Sequence, residues 1–353
     1  MKTLLKNARE QKQLKTRELA QLIGIDQALI SKFESGTRKP TREQVLKLAQ
    51  VLELDYETLM VAWLKERILY EIGHEEFSLK ALQLVQEEIE NSYKKTKLSI
   101  SKSLQHILDE IDTLKLKLDQ FRQFDSYRIA QALELEYTFE SNRIEGNTLT
   151  LRETDLVINE GLTVSGKSMR EHLEALNHQE AIGYIKQIME RNFSINEREL
   201  LTIHNLILRG IIPEDAGRYR SVQVMIKGSA HMPPQPFIVP KKMEDYFIWY
   251  EENKATLHPV ILAAEMHERL VTIHPFIDGN GRTSRLTMNL ILLQNGYVIA
   301  NIKGDYENRM QYYQALESAQ TSNSKEDFLH FIAQTEKNSL ERYLSIISQS
   351  KPT

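Results

Sequence analysis

Apolar positions along this chain recur mostly three and four residues apart, the spacing that lines one face of an α-helix. Leu4, Leu5 and Ala8 open such a pattern, Val45, Leu48, Ala49 and Leu52 form another, and Tyr56 to about Leu64 a further one. From Ser99 a long amphipathic stretch runs through Ile107, Ile111, Leu114, Leu118 and Phe121. Later, Ile261, Leu262, Met266, Leu270 and Ile273 make one stripe, and Leu286, Leu290 and Leu293 the next. Strict alternation, the mark of a half-buried strand, is clearest at Val222, Val224 and Ile226, ahead of Lys227-Gly228-Ser229. The pattern predicts an all-α protein carrying one small β-hairpin.

Capping residues divide the first 66 residues into five short helices. Thr16 is placed to cap the second, which Gly24 ends; Asp26 caps the third, closed by Gly36; Thr41 caps the fourth after the break at Lys39-Pro40. Gly24-Ile25-Asp26 reads as the turn of a helix-turn-helix, with Gln27–Glu34 as the candidate recognition helix. Residues 67–98 are helical in pattern, with Leu69, Ile72, Phe77, Leu79, Leu82, Val85 and Ile89 as the apolar positions. They suit a spacer or a dimer contact. The expected division is 1–66, 67–98, 99–190 and 191–345.

Composition narrows the class. The 353 residues allow two or three domains, and 41% hydrophobic with 27% charged residues fits a globular protein with a real core. With no cysteine there are no disulfides and no thiolate metal sites. Lys2, Lys6 and Arg9 interrupt every apolar run near Met1, and no stretch reaches the ~18 apolar residues of a membrane span. The reading is a cytoplasmic protein. Within residues 1–52, eleven Lys and Arg against five Asp and Glu leave a surplus of six positive charges, although the whole chain carries −4. A basic head on an acidic body fits contact with a polyanion, or merely a solvated charged surface.

The chemistry concentrates in HPFIDGNGRTSR, His274 to Arg285. Asp278-Gly279-Asn280-Gly281 lies between two helical stripes, as a tight loop entering a helix N-terminus. Such a loop aims backbone N–H groups and the positive end of the helix dipole at one point, where an anion can sit. Arg282 and Arg285, three apart, can lean toward it, and guanidinium forks suit polyphosphate oxygens. Asp278 offers one hard oxygen ligand of the kind Mg²⁺ takes alongside substrate phosphates. His274 can accept a proton near neutral pH. A base, a metal ligand and a phosphate nest together suit transfer of a phosphate-bearing group to a hydroxyl.

Two resemblances sharpen this reading. The run LAQLIGIDQALISKFESGTRKPTREQVLKLAQVL resembles the XRE/Cro family of helix-turn-helix domains over residues 1–65. That implies a DNA operator read by Gln27, Ala28 and Lys32, with Thr16, Arg38 and Lys39 near phosphates. A single helix-turn-helix reads one half-site, which favours a homodimer. Ala28 departs from the polar residue common at its position.

HPFIDGNGRTSR itself matches the Fic signature HxFx(D/E)GNGRxxR, and the resemblance extends from about residue 100 to 345. It implies a protein adenylyltransferase: His274 deprotonates a target hydroxyl, which attacks the α-phosphate of ATP. Asp278 would hold Mg²⁺; Gly279, Asn280, Gly281 and Arg282 would cradle the α- and β-phosphates, Arg285 would take the γ-phosphate, and Phe276 would pin the loop. Related Doc toxins, which phosphorylate, carry Lys where this chain has Gly281.

Ser141-x-x-x-Glu145-Gly146 resembles the inhibitory helix of Fic proteins, in which the glutamate pairs with the second arginine, here Arg285; in some relatives the same glutamate supports AMP removal. Residues 221–240 resemble the Fic flap, and 166–182 a scaffold helix. Tyr312, Tyr313 and Gln320 fall on the nucleoside side. Locally, His231 reads as incidental and His267 as packing. The competing readings are a transcription regulator whose Fic body only senses nucleotide, and a Fic-type phosphotransferase.

Overall fold

The computed structural model describes residues 1–73, 75–86, 100–121, 127–191, 194–322 and 324–349. They fall into two units, 1–98 and 99–353, with no strand among the described residues.

In the first unit, α1 (Lys2–Gln11), α2 (Thr16–Ile23), α3 (Gln27–Ser35), α4 (Arg42–Leu52) and α5 (Tyr56–Ile72) close on a core of Leu5, Leu19, Ile30, Phe33, Val45, Leu48 and Trp63. Gly24 and Gly36 sit in left-handed conformation at the ends of α2 and α3 (φ 71° and 79°), and Asp26 and Thr41 accept N–H bonds as caps. Thr16 is instead the first residue of α2; Lys15 holds the cap position, its N–H bonded to the Glu18 carboxylate at 2.7 Å. Beyond the expected Leu64, α5 runs one further stretch to Ile72, because nothing before Gly73 breaks it. Its Glu66 is also anchored twice, by the Met1 ammonium at 2.8 Å and, through its carbonyl, by Lys39. Arg9 grips Glu34 through Nε (2.6 Å) and Nη2 (2.9 Å), tying α1 to α3. Residues 67–72 therefore belong to α5, and 78–86 form α6; Ile89, expected in the same apolar set, lies outside the described residues.

In the second unit α7 (Lys102–Phe121) packs along α16 (Glu326–Gln349), and α13 (Pro259–Ile273) pairs with α14 (Asn280–Gln294) at the centre. From Arg282 to Leu292 every residue of α14 is buried, as expected of a helix covered on all sides. Two of its polar side chains find partners within this unit: Thr287 donates to the Thr283 carbonyl at 2.9 Å, and Asn289 accepts the Ala300 N–H at 2.8 Å. Around this pair lie α8 (Tyr127–Ile144), α9 (Leu151–Asn159), α10 (Met169–Glu190), α11 (Glu197–Leu208), α12 (Val239–Asn253) after a 3₁₀ turn at Pro236–Ile238, and α15 (Tyr306–Thr321).

The expected β-hairpin does not form. Val222, Val224 and Ile226 alternate as a strand should, but the returning arm is Met232-Pro233-Pro234, and prolines cannot donate to a ladder. Side chains cross-link the loop instead. Arg220 donates to the carbonyls of Val222 and Pro234, and Gln223 to that of Pro233.

Candidate active site

α13 ends at His274, which adopts a left-handed conformation (φ 49°, ψ 58°) that costs a non-glycine residue about 1 kcal/mol or more. Neighbours hold it there: its N–H bonds the Leu270 carbonyl at 2.9 Å, and its own carbonyl accepts Arg220 Nε at 2.8 Å. The ring Nδ1 faces the Val271 carbonyl at 3.3 Å, which assigns the proton to Nδ1 and leaves Nε2 as the basic nitrogen. Burial, with the Arg220 charge adding to it against the Val271 bond, pushes His274 down to about 4.

The following loop is pinned from beneath. Phe276 is fully buried and stacks on His204, ring centres 3.6 Å apart. His204 accepts the Gly217 N–H at Nδ1 (2.9 Å), so Nε2 carries the proton and donates to the Asp278 carbonyl at 2.9 Å. Burial holds His204 near 4, hence neutral. Asn280 accepts the Phe276 N–H at 3.0 Å and donates back to the Phe276 carbonyl at 2.9 Å. Its carboxamide thus shapes the loop, and the part left to face an anion is its backbone. Gly279 occupies φ 78° at the N-cap of α14, a conformation glycine adopts without strain.

Charges converge on this turn. Arg282, 2% exposed, lies 3.5 Å from Asp278 and 3.3 Å from Glu174. Its Nε is shielded without a hydrogen-bond partner, and its Nη1 has only the ion-pair contact to Glu174, as suits a cation with room for further acceptor oxygens. Arg170 bonds Asp278 at 2.6 Å and Glu174 at 3.1 Å. Burial opposes ionisation of Asp278, but Arg282, the Gly279 amide and Arg170 outweigh it and hold the carboxyl below its usual range. α10, read from sequence as scaffold, therefore contributes Arg170 and Glu174 to the site.

The upstream helix closes over the same place. Arg285, 1% exposed, donates from Nε to Ser141 Oγ at 3.0 Å and from Nη2 to the Ser141 carbonyl (2.9 Å) and Glu145 Oε1 (2.7 Å). Burial works against its charge, but Glu145 above all keeps its pKa above the ordinary value. Glu145 lies one residue past the end of α8, and Gly146 turns the chain at φ 96°. The Glu145 carboxylate occupies the space directly over Gly281, so close that a Cβ there would collide with it. Asn147 bonds Glu174 Oε2 at 3.0 Å, and Tyr313 donates to the Ile144 carbonyl at 3.0 Å, so both sides of the Glu145 turn are fastened.

Not every expected residue reaches an open position. Tyr312 is 1% exposed with its hydroxyl on His267 at 3.0 Å, so its ring offers no free face to a base; Tyr313 is exposed. Gln320 is half-buried, its Nε2 without a partner. His267 is fully buried and neutral, pushed by burial to about 3. His231, read as incidental, donates from Nε2 to the Thr272 carbonyl at 2.8 Å and fastens the 221–235 loop two residues before His274. In the first unit Gln27, Ala28 and Lys32 are exposed on α3, and Gln27 bonds the Thr16 hydroxyl at 3.1 Å. Arg38 is exposed, whereas Lys39 is drawn back onto the Glu66 carbonyl (2.7 Å) and the Tyr70 ring (4.4 Å).

Arg220, 3% exposed and unremarked in the sequence, joins both arms of the 221–235 loop to the His274 carbonyl. Arg220→Met strands three carbonyls. It is expected to lower stability by about 2–3 kcal/mol and to speed tryptic cleavage at Lys227. Cleavage at the wild-type rate would show that the clamp does not hold the loop.

This all-helical frame, with a loop-to-helix anion nest at its centre, places the second unit in a recognisable class. Residues 194–292 match the Fic/DOC family, and residues 5–59 match a helix-turn-helix family. The chain thus carries a Fic/DOC domain and, at its N-terminal side, a helix-turn-helix domain. It is 36% identical over 245 residues to a protein adenylyltransferase Fic of Nematostella vectensis, covering 68% of this chain and 56% of that protein. Against one from Drosophila melanogaster it is 37% identical over 210 residues, covering 59% and 42%. The chain thus spans about half the length of these relatives. Among solved structures, a Fic family protein from Desulfovibrio desulfuricans superposes with a TM-score of 0.61 at 28% identity, over 72% of this chain and 77% of that one. Fic-1 from C. elegans gives 0.63 at 23% identity over 95% and 98%, a likeness of fold.

Proposed function

We propose that the chain is a protein adenylyltransferase that moves AMP from ATP to a hydroxyl side chain of a target protein and that Glu145 holds it in check. One observation carries this reading: a carboxylate of the chain's own already sits at the N-terminus of α14, between Gly281 and the buried Arg285. A site that attracts and holds an anion there is suited to phosphate oxygens. The names of the relatives supply the reaction class.

Backbone N–H groups of Gly279 to Arg282 and the Arg282 guanidinium would grip the α- and β-phosphates. Arg285, once released by Glu145, would take the γ-phosphate. Nε2 of His274 accepts the proton of the incoming hydroxyl, whose oxygen forms a bond to the α-phosphorus as the bond to pyrophosphate breaks. The products are an AMP-modified protein and pyrophosphate. Asp278 fits a Mg²⁺ site shared with substrate: it is a single ionised carboxylate, and among the described residues no group of three His, Cys, Asp or Glu forms a closed cage. When bound, the ion would neutralise phosphate charge, and Asp278 would first exchange Arg170 for it.

Gln27, Ala28 and Lys32 on α3, with Thr16 and Arg38 beside them, make a DNA operator the partner of the first unit, read by two copies of the chain. No helix among the described residues is long and apolar enough to cross a membrane. The deciding experiment uses ATP labelled at either end with Mg²⁺ and cell lysate. Label from the α-phosphate is expected on protein, and none from the γ-phosphate. The reverse pattern would make the chain a phosphotransferase, and no label from either a nucleotide sensor.

A further inference from the structure

On the side of α8 away from Glu145's end lies a cavity of about 460 Å³ that the reaction does not use. Its apolar lining includes Leu133, Met189, Leu293, Val298, Ile299 and Phe331, drawn from α8, α10, α14, the segment after α14, and α16. Protein interiors are close-packed with few voids larger than a water molecule, whereas pockets for small organic ligands begin near 300 Å³. A cavity of this size and lining is ligand-sized.

The rim defines what it would accept. Its cations are each matched by a carboxylate: Lys186 bonds Glu134 at 2.7 Å, Lys303 lies 3.9 Å from Glu136 and 3.5 Å from Glu140, and Arg342 bonds Glu136. An anionic guest would meet no unmatched charge. Uncharged polar groups complete the lining: Gln311, Gln334, which donates to Asn338 at 2.8 Å, and Ser339, which accepts the Asn301 N–H at 3.1 Å. Asn301, also on the wall, has a shielded Oδ1 without a partner and calls for a donor from the guest.

The wall is mechanically tied to the brake. Ala130, Leu133, Glu134 and Glu136 belong to α8, the helix that presents Ser141 and Glu145. Beyond Asn301 and Lys303 the chain presses against the last turns of α8: the Gly304 N–H bonds Glu140 Oε2 at 2.8 Å, and a Cβ on Gly304 would lie 2.8 Å from the Glu140 carbonyl oxygen and 2.9 Å from Arg143. There is no slack there. A guest that pushes the wall moves α8.

We propose that this cavity binds an uncharged, amphipathic small molecule and that its occupancy shifts α8 and loosens the Glu145–Arg285 pair. The second half rests on Glu145 acting as the brake; the first does not. The probe is Nile red, an uncharged fluorophore whose emission shifts to the blue in apolar surroundings, titrated onto the full chain. One saturable site is expected. Ala130→Phe and Gln334→Phe, filling the cavity from α8 and from α16, should each weaken it at least tenfold, while Phe237→Gln, which trims an exposed side chain elsewhere, should leave it unchanged. Circular dichroism confirms that each filled variant is folded. Binding that survives both fillings, or that falls with Phe237→Gln, overturns the site.

The link to the brake is read from affinity for a fluorescent ATP analogue. Saturating dye should raise it at least fivefold in the wild type and leave it unchanged in Glu145→Gly. Dye that binds without altering wild-type affinity overturns the link. Should Glu145→Gly bind the analogue no better than wild type, the brake itself fails, and the dye result on the cavity still stands.

Discussion

Glu145→Gly is expected to raise transfer of AMP by about one to two orders of magnitude. A hydrogen bond to a charged group contributes roughly 1.5–3 kcal/mol, and each 1.4 kcal/mol is about a factor of ten. Glu145 makes such a bond to Arg285 at 2.7 Å, so ATP must break it before its γ-phosphate can reach that guanidinium. Ser141 still holds Arg285 in the variant through two bonds, so the arginine stays in place without its carboxylate partner. The measurement is label transfer from α-labelled ATP at matched protein concentration. Rates equal to wild type would mean that the Arg285 contact does not restrain the enzyme.

His274→Ala should remove transfer by a factor of about 10²–10⁴, the range for a positioned general base, while ATP affinity changes little. None of the groups assigned to the phosphates passes through the imidazole. In the wild type the pH profile should report the same ring. Because burial and Arg220 hold His274 near 4, the basic form persists as pH falls from 8 to about 5, and activity should decline only as pH approaches 4. A midpoint near 6.5 would show an imidazole exposed to solvent, and simultaneous loss of ATP binding in His274→Ala would point to a misfolded site.

Much of this was legible in the chain because it is written in local rules. Helical spacing, Gly24 and Gly36 after α2 and α3, and the Asp26 and Thr41 caps depend on residues a few positions apart. So does the loop from Asp278 to Gly281 entering α14. Ser141, in the last turn of α8, and Glu145, just past its end, were readable as a pair, and their meeting with Arg285 was implied by resemblance alone, since nothing local spans those 140 positions. One misreading has a physical cause, and two other readings take a form that local rules did not specify. Alternation at 222–226 promised a strand, but the prolines on the opposite arm withdraw the donors a ladder needs. Asn280, read as a phosphate contact, spends its carboxamide on the Phe276 backbone four residues earlier and keeps only its backbone N–H for that role. Tyr312 and Tyr313 are adjacent, and a helix sends neighbours about 100° apart, one inward and one outward.

Other residues were invisible for a different reason. Arg220, His204, Arg170 and Glu174 act across 54 to 108 positions, and each is an ordinary residue of its own segment. The one local hint was Arg170 and Glu174 four apart, which suggests an ion pair without saying what lies next to it.

On the proposed reading of Glu145 as a brake, its seat over Gly281 also fixes how regulation must operate. A competitor carried on the same chain has a set effective concentration, on the order of millimolar for short tethers, and it cannot be diluted away. Lowering the amount of protein leaves every molecule as silent as before. On that reading, only a rise in nucleotide that outcompetes the tethered rival, or a movement of the tether, changes the output, and the set point is written into the length and placement of one helix.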